Sequence, residues 1–180
     1  MDFISSETYK NIMQALAGEL MTCAKYALYA DKAYEDGYIQ IGDVFAETSG
    51  NEKEHARILM RIMDEGEMSD TLDNLKEAFS GESNEWNNSY AGFAETARKE
   101  GFDNIAQMFE NMAQVEKHHD FRFRSLADNI ENGNTFCRNE DALWVCLNCG
   151  FLYQGACAGD DECPLCGESK GYYKLNCEDY

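Results

Sequence analysis

The chain contains little proline, little positive charge and no long apolar segment. Its 180 residues include a single proline, Pro164, so no proline kinks a helix before that position. Lysine and arginine total 15 against 34 aspartates and glutamates, which gives a formal net charge of -19. This balance excludes a general binder of nucleic-acid backbones and disfavours an anionic membrane as partner, because both would repel the chain.

No apolar run is long enough to cross a bilayer. The longest, residues 142–147, is far shorter than the roughly 20 residues that a membrane-spanning helix needs. Residues 1–5 carry neither the basic nor the apolar stretch of a secretion signal. We therefore expect a cytoplasmic protein that binds neither a membrane nor nucleic acid.

Cysteine is almost absent from the first 136 residues, where only Cys23 occurs, although the chain has eight cysteines. This distribution is unlike an evenly cross-linked secreted domain and is typical of a cytosolic chain with a metal-binding tail. The segment 131–135 contains asparagine and glycine and predicts a helix end followed by a linker. The chain is thus expected to form a helical domain, residues 1–135, and a linker with a small metal-binding domain, residues 136–180.

Four amphipathic helical runs occupy the first domain. Apolar residues recur at steps of three and four within segments 12–30, 41–62, 72–97 and 105–130. Glycines at positions 37, 66 and 101 separate the runs. The first connection fits either a tight turn or a longer crossing. The pattern predicts an all-α four-helix bundle.

Four glutamates and two histidines interrupt these apolar seams. They are Glu19 in the first run, Glu52 and His55 in the second, Glu82 in the third, and Glu116 and His119 in the fourth. Each half of the domain repeats a helix with one Glu followed by a helix with Glu-x-x-His, whose two side chains share a helix face. Burying unpaired carboxylates is costly, so their joint burial predicts a multivalent cation. Two such halves predict a dinuclear iron or manganese site.

Three further residues near this site have two readings each. Glu85 lies one turn after Glu82 and is either a surface acid or a spare carboxylate that can exchange with another ligand. Tyr26 and Tyr90 are either ordinary core tyrosines or hydrogen-bond partners of the metal-binding carboxylates. Spacing alone does not separate these readings.

The tail carries two Cys-x-x-Cys pairs, Cys146 with Cys149 and Cys163 with Cys166, each followed by glycine. This spacing predicts a tetrahedral four-thiolate site and leaves open zinc, as in a structural ribbon, or a single iron. The remaining cysteines, at positions 23, 137, 157 and 177, are expected to be free thiols. A Cys157–Cys177 bridge is the alternative.

The two parts in this order resemble rubrerythrin, a ferritin-like di-iron protein with a C-terminal rubredoxin-like domain. The strings that carry the resemblance are Gly-Glu at 18–19, Glu-Lys-Glu-His-Ala at 52–56, Gly-Glu-Ser-Asn-Glu at 81–85, Glu-Lys-His-His at 116–119, Trp-Val-Cys-Leu-Asn-Cys-Gly at 144–150 and Cys-Pro-Leu-Cys-Gly at 163–167. Together they cover nearly the whole chain.

The resemblance implies a role for each candidate residue. The implied di-iron ligands are Glu19, Glu52, His55, Glu82, Glu85, Glu116 and His119, and the implied iron–sulfur ligands are Cys146, Cys149, Cys163 and Cys166. Glu52 and Glu116 would bridge the irons, and Glu85 and His55 would alternate on one iron with its oxidation state. Tyr26 and Tyr90 match tyrosines that flank the family's site. Segment 86–91 departs from the family pattern, which leaves substrate preference open.

The implied activity is reduction of hydrogen peroxide to water in oxidative-stress defence, with electrons from the rubredoxin-like iron. The donor would be an NADH-dependent reductase or a rubredoxin-type protein, since the chain has no glycine-rich dinucleotide motif. A homodimer or larger homo-oligomer is expected. The alternatives are a ferroxidase or iron-handling protein and a non-enzymatic zinc-ribbon adaptor.

Overall fold

The computed structural model describes residues 2–64, 66–159 and 161–177, and packing divides the chain into two units. Unit 1 comprises residues 1–69 and unit 2 comprises residues 70–180. Both are mainly helical, and a small antiparallel sheet lies at the C-terminal end of unit 2. The predicted class, an α-helical protein with a small cysteine-bearing C-terminal region, is confirmed. The domain boundary expected at residue 135 stays a prediction.

Unit 1 is a helical hairpin. Helix α1 spans Glu7–Glu35 and helix α2 spans Ile39–Met63. The side chain of Ser6 caps the start of α1 by accepting a hydrogen bond from the backbone N–H of Tyr9 at 3.1 Å. Gly37, with φ of 81°, permits the tight turn between the helices. The first connection is therefore the tight turn, not the longer crossing.

Unit 2 begins with three α-helices and one π-helix. Helix α3 spans Thr71–Asn84, the π-helix spans Glu85–Ser89, helix α4 spans Tyr90–Lys99 and helix α5 spans Asp103–Glu131. The third run is helical without a break over residues 71–99, and the π-helix within it is a feature that the sequence pattern did not predict. The π-helix begins at Glu85, the second acid of the Glu82-x-x-Glu85 pair, and such insertions are frequent at functional sites.

The sheet of unit 2 has three antiparallel strands in the order β2-β1-β3. Strand β1 spans Cys137–Cys146, β2 spans Leu152–Cys157 and β3 spans Tyr173–Leu175. Trp144 and Tyr173 are almost fully buried in its small core together with two of the metal-binding cysteines. The core is small, so a bound metal is expected to contribute to the stability of this region.

None of the helices in the described part of the chain is both long enough and apolar enough to cross a membrane.

Candidate metal centres

Unit 1 brings three of the predicted ligands together. Glu19 lies on α1, and Glu52 and His55 lie one turn apart on α2. Nδ1 of His55 is 2.8 Å from Oε2 of Glu52 and 3.5 Å from Oε2 of Glu19. One ligand atom from each residue falls within 4.8 Å of the others. The hairpin therefore places two carboxylates and an imidazole close enough to share one metal ion.

The electrostatics of this first cluster favour a positive charge. Contact with Glu19, and then the hydrogen bond with His55, lowers the pKa of the Glu52 carboxyl group. The hydrogen bond to Glu52 raises the pKa of His55, although partial burial opposes that change. Both shifts stabilise an anionic carboxylate beside a cation. A divalent metal ion bound by these oxygens meets the same electrostatic requirement.

Unit 2 contains a second cluster of the same composition. Glu82 lies at the end of α3, and Glu116 and His119 lie one turn apart on α5. Nδ1 of His119 is 2.7 Å from Oε2 of Glu116 and 3.7 Å from Oε2 of Glu82. Their ligand atoms also fall within 4.8 Å of one another. The internal repeat read from the sequence thus corresponds to two three-ligand clusters of matching geometry.

Crowding of carboxylates characterises this second cluster. Burial, contact with Glu116 and the charge of Glu85 raise the pKa of Glu82, while His119 partly offsets them. A carboxyl group whose anionic form is destabilised by its neighbours regains that form when a cation binds between them. The donor set of two carboxylates and one imidazole suits iron, and it fits the di-iron ligand pattern of ferritin-like proteins.

Glu85 and Tyr90 stand beside the second cluster. Glu85 is the first residue of the π-helix and is exposed. Burial raises the pKa of the half-buried Tyr90 hydroxyl, and the nearby charges of Glu85, Glu116 and Glu82 add to the effect. Tyr90 therefore keeps its proton close to these carboxylates. The direct binding of metal by Glu85 stays a prediction.

Tyr26 lies in unit 1, half-buried on α1. Its ring packs against Phe45 at a centroid distance of 5.9 Å and against Tyr29 at 6.2 Å. These contacts suit a core tyrosine. Its expected role near the metal-binding carboxylates stays a prediction.

A buried hydrogen-bond pair next to the second cluster was not foreseen. The indole Nε1–H of Trp86 donates to Oδ2 of Asp120 at 3.1 Å, and Asp120 is 7% exposed. Arg124 donates to the other oxygen of Asp120 at 2.8 Å. Trp86 follows Glu85 and Asp120 follows His119, so the pair connects the π-helix to α5 beside two predicted ligands. One feature of the sequence indicates this contact. Trp86 and Asp120 are 34 residues apart, which is also the separation of Glu82 and Glu116.

The four tail cysteines form one compact cluster. Sγ of Cys146 is 3.8 Å from Sγ of Cys166, and Sγ of Cys149 is 3.6 Å from Sγ of Cys163. Metal–sulfur bonds of about 2.3 Å in a tetrahedron place sulfur atoms about 3.8 Å apart. The observed spacings therefore fit a single metal ion at the centre.

Each Cys-x-x-Cys pair is shaped by a glycine turn. The N–H of Gly150 donates to the carbonyl of Cys146 at 2.9 Å, and the N–H of Gly167 donates to that of Cys163 at 2.8 Å. Both glycines have a φ near 75°, in the left-handed region that disfavours other residues. The two turns are therefore similar in geometry and present two sulfur atoms each.

The thiol environment supports metal binding. The N–H of Phe151 favours the Cys149 thiolate, but burial and the three neighbouring cysteines raise its pKa to about 12. Burial also opposes ionisation of Cys163, whereas the Tyr173 hydroxyl and the N–H groups of Cys166 and Leu165 lower its pKa to about 6. Four adjacent thiols ionise together only when a cation compensates their charge.

The hydroxyl of Tyr173 provides a further test of this fit. It is buried and has no hydrogen-bond partner of normal geometry among the described residues. Its pKa is raised by burial and by the neighbouring Cys163, Cys146 and Cys149 sulfurs. A metal-bound thiolate at Cys163 is an acceptor that satisfies this otherwise unpaired donor.

Two of the remaining cysteines are bonded to each other. Cys137 and Cys157 form a disulfide between β1 and β2, which corrects the expectation that both are free thiols. The alternative Cys157–Cys177 bridge is also wrong, because Cys177 is free. Strand pairing brings positions 137 and 157 together, and no local spacing signals that pairing. Cys23 is free, as expected.

Comparisons with known proteins agree with this geometry. The rubrerythrin family model matches residues 10–72 and 73–143. This chain belongs to the rubrerythrin family. Rubrerythrin from Clostridium perfringens is 38% identical over 97% of both chains, and rubrerythrin from Nitratidesulfovibrio vulgaris is 36% identical over 94% of both. A solved nigerythrin in a partially reduced state aligns at 26% identity and a TM-score of 0.36, over 95% of this chain and 87% of its own.

Family membership identifies the metals that these ligand sets hold. The rubrerythrin cofactors are a di-iron centre, whose ligands the two carboxylate–histidine clusters supply, and an iron held by the four-cysteine cluster. The chain is therefore an iron-dependent oxidoreductase of a family associated with oxidative stress.

Proposed function

We propose that this chain reduces hydrogen peroxide to water, with electrons delivered through iron bound by the four cysteines. The observation that carries the proposal is the presence, in one chain, of two carboxylate–histidine clusters and a separate tetrathiolate cluster. The first type of site suits two-electron chemistry on oxygen species, and the second suits one-electron transfer. A ferroxidase takes its electrons from the iron it oxidises and has no need of the second site.

Iron held by the two carboxylate–histidine clusters would supply the two electrons that reduce peroxide, and iron held by the four cysteines would supply one-electron transfer. The protein residues hold the ligands in place and manage protons. Reduction of peroxide to two waters consumes two protons. We propose that Tyr90, whose raised pKa keeps its hydroxyl protonated near the charges of Glu85 and Glu116, donates a hydrogen bond toward the cluster.

Glu85 has the role of a mobile carboxylate in this proposal. It is exposed at the start of the π-helix, whereas Glu82 and Glu116 are partly buried. A side chain with this freedom would be able to bind a metal ion of the second cluster in its oxidised state and leave it in its reduced state. The π-helix supports the exchange, because it locally replaces the regular α-helical hydrogen bonds that would fix the orientation of Glu85.

Electron delivery involves more than one chain in our proposal. Within unit 2, one cavity is lined by Leu126 and Ile130 of α5 and by Phe136 and Trp144 of the tail. The tail therefore packs at the C-terminal end of α5, and Ile130 is 11 residues beyond His119, a distance of about 16 Å along the helix. In a head-to-tail pair of chains, the four-cysteine cluster of one chain lies nearer to the carboxylate–histidine clusters of the other chain than to its own. We propose a homodimer or larger homo-oligomer with electrons crossing between subunits.

The remaining elements of the proposal concern partners and location. The substrate is hydrogen peroxide, and the donor to the thiolate iron is an NADH-dependent reductase or a rubredoxin-type protein. The net charge of -19 favours a donor with a basic docking face. The cytoplasm, where such donors and NADH occur, is the proposed location.

A steady-state assay with metal analysis tests the proposed function. The iron-loaded chain is mixed with peroxide, NADH and a reductase that reduces rubredoxin-type iron, and both substrates are followed. We expect one NADH to be consumed for each peroxide, and no activity in a Cys146→Ser/Cys149→Ser variant. Either of two results would overturn the proposal. In the first, the variant consumes peroxide as fast as the wild type. In the second, the chain oxidises added Fe(II) but reduces no peroxide with NADH.

A further inference from the structure

The Cys137–Cys157 disulfide lies outside both metal sites. It connects the first residue of β1 to the last residue of β2, at the open end of the hairpin. The opposite, closed end turns through residues 147–151, where the metal-binding Cys146 lies directly before the turn and Cys149 lies within it. The cysteine pair is thus a separate chemical feature that neither metal centre uses.

The strand register at the open end depends on this pair. Cys137 faces Cys157, but the next registered pair is Ala142 with Gly155, so four residues of β1 oppose one residue of β2. This bulge interrupts the ladder between the disulfide and the rest of the sheet. Beyond the bulge, Cys137 and Cys157 are again paired across the two strands, and the N–H of Ala158 donates to the carbonyl of Phe136 at 2.7 Å.

Exposure and charge at the pair favour thiol chemistry. Cys157 is exposed and Cys137 is half-buried, so an external thiolate has access to one of the two cysteines. The residue next to Cys137 is Arg138, a cation whose guanidinium donates to the backbone carbonyl of Cys137 at 2.6 Å. A neighbouring cation stabilises a thiolate, which is the reactive form.

We propose that Cys137 and Cys157 form a reversible thiol–disulfide site that peroxide oxidises and a dithiol reductant reduces. In oxidation, one thiol gives up its proton and its thiolate attacks peroxide, which yields a sulfenic acid and hydroxide, and the released proton converts the hydroxide to water. The second thiol then displaces a further water from the sulfenic acid to form the disulfide. Two thiols are oxidised and one peroxide is reduced to two waters. In reduction, a dithiol attacks Cys157, forms a mixed disulfide and leaves as its own disulfide, which returns both protein thiols.

Opening the bridge changes the segment where the tail begins. The oxidised pair holds residues 137–141 of β1 against the end of β2, across the bulge. The reduced pair leaves this end of the hairpin held by non-covalent contacts alone, among them the Phe136–Ala158 hydrogen bond. The cysteine site therefore couples the thiol redox state to the rigidity of the link between α5 and the four-cysteine cluster.

Thiol mapping of the iron-loaded full chain tests the proposal. The protein is reduced with dithiothreitol, freed of reductant, mixed with one equivalent of hydrogen peroxide and quenched with N-ethylmaleimide before peptide mass spectrometry. We expect the Cys137 and Cys157 peptides to become cross-linked while exposed Cys177 stays alkylated. Dithiothreitol added back should reopen the bridge without loss of the visible absorption of the thiolate iron.

Two controls make the outcome decisive. A Cys137→Ser/Cys157→Ser chain should bind the same iron and show no peroxide-dependent cross-link, and its amide hydrogen exchange in residues 137–141 should match that of the reduced wild type. A Glu52→Ala chain should still form the bridge, because oxidation of the thiols does not require the carboxylate site. This result separates the inference from the proposed peroxidase function.

The inference is overturned by either of two results. If the bridge opens only after the chain is unfolded, it is a permanent structural cross-link. If peroxide oxidises Cys177 as readily as the Cys137–Cys157 pair, the pair has no special reactivity.

Discussion

Glu85 occupies a distinct position among the acids of the second cluster. It is exposed, whereas Glu82 and Glu116 are partly buried and group closely with His119. Its charge nevertheless contributes to the raised pKa values of Glu82 and Tyr90. A carboxylate at the edge of a site can influence reaction without being required to hold the metal.

We predict that Glu85→Ala lowers peroxide turnover much more than iron content. Six other ligands remain in the two carboxylate–histidine clusters, and the exposed carboxylate contributes least to retention. Iron per chain and kcat for peroxide are the measurements. The matched control is Glu52→Ala, which removes the carboxylate that contacts both His55 and Glu19 and is expected to lose metal. Equal loss of iron in both variants would show that Glu85 is an ordinary structural ligand.

A second residue-scale prediction concerns the hydroxyl of Tyr173. A donor facing a metal-bound sulfur stabilises the more negative, reduced state of a tetrathiolate iron. Tyr173→Phe should therefore lower the midpoint potential of that iron, which a spectroelectrochemical titration of its visible absorption measures. Tyr172→Phe is the control, because Tyr172 is exposed and outside the small core. A potential that shifts equally in both variants would contradict the assigned contact.

At the scale of elements, the π-helix and α5 are joined by a buried polar contact. The Trp86 indole and the Arg124 guanidinium each bind one oxygen of Asp120, so the carboxylate is satisfied on both sides. A hydrogen bond to a buried charged group contributes roughly 1.5–3 kcal/mol. The contact lies directly beside Glu85 and His119 along the chain and keeps the two ligand-bearing elements together.

Trp86→Phe should weaken this connection while keeping an aromatic ring in place. Loss of the Nε1–H leaves one oxygen of buried Asp120 without its donor, and we expect the free energy of unfolding to fall by about 1–3 kcal/mol. Urea denaturation followed by circular dichroism measures the change. Asn88→Ala, which removes an exposed hydrogen bond to Asn84 in the same segment, should have a much smaller effect. Similar losses in the two variants would argue against a special role for Asp120.

The helices were predictable where periodicity is local. The apolar seams and the glycine breaks of α1, α2 and α5 follow steps of three and four, which depend on neighbours within one or two turns. The π-helix at Glu85–Ser89 was not predictable, because one wider turn leaves the residue composition unchanged. The β1 bulge and the Cys137–Cys157 bond depend on strand pairing between residues 20 apart, beyond the reach of any local pattern.

At the scale of the whole molecule, the metal ligands were the most predictable feature. Carboxylates placed inside apolar seams are energetically costly, so Glu19, Glu52, Glu82 and Glu116 could be distinguished from the many surface acids. The four-cysteine ligands were equally clear from spacing. The Trp86–Asp120 contact was missed, because an aspartate beside a ligand histidine is indistinguishable from a solvated residue until the opposing helix is in place.

A mixing experiment tests the proposed assembly. One chain carries Cys146→Ser and Cys149→Ser, and the other carries Glu52→Ala and Glu116→Ala, so each lacks one redox site. Co-refolded mixtures should regain NADH-linked peroxidase activity if electrons cross between subunits, because one pairing joins an intact thiolate iron to an intact carboxylate site. Wild-type chains refolded in the same way are the control. An inactive mixture beside an active control would show that transfer runs within one chain.

The most direct test of the central claim is a single-turnover reaction of the fully reduced, iron-loaded chain with hydrogen peroxide. Stopped-flow spectroscopy follows the visible absorption that appears when the four-cysteine iron is oxidised. We predict that this absorption rises in step with peroxide consumption and that the rise is at least about tenfold slower in the Glu52→Ala/Glu116→Ala chain, as a lost catalytic site requires. If the thiolate iron oxidises at the same rate in both chains, it does not deliver electrons to the carboxylate site, and the proposed function is wrong.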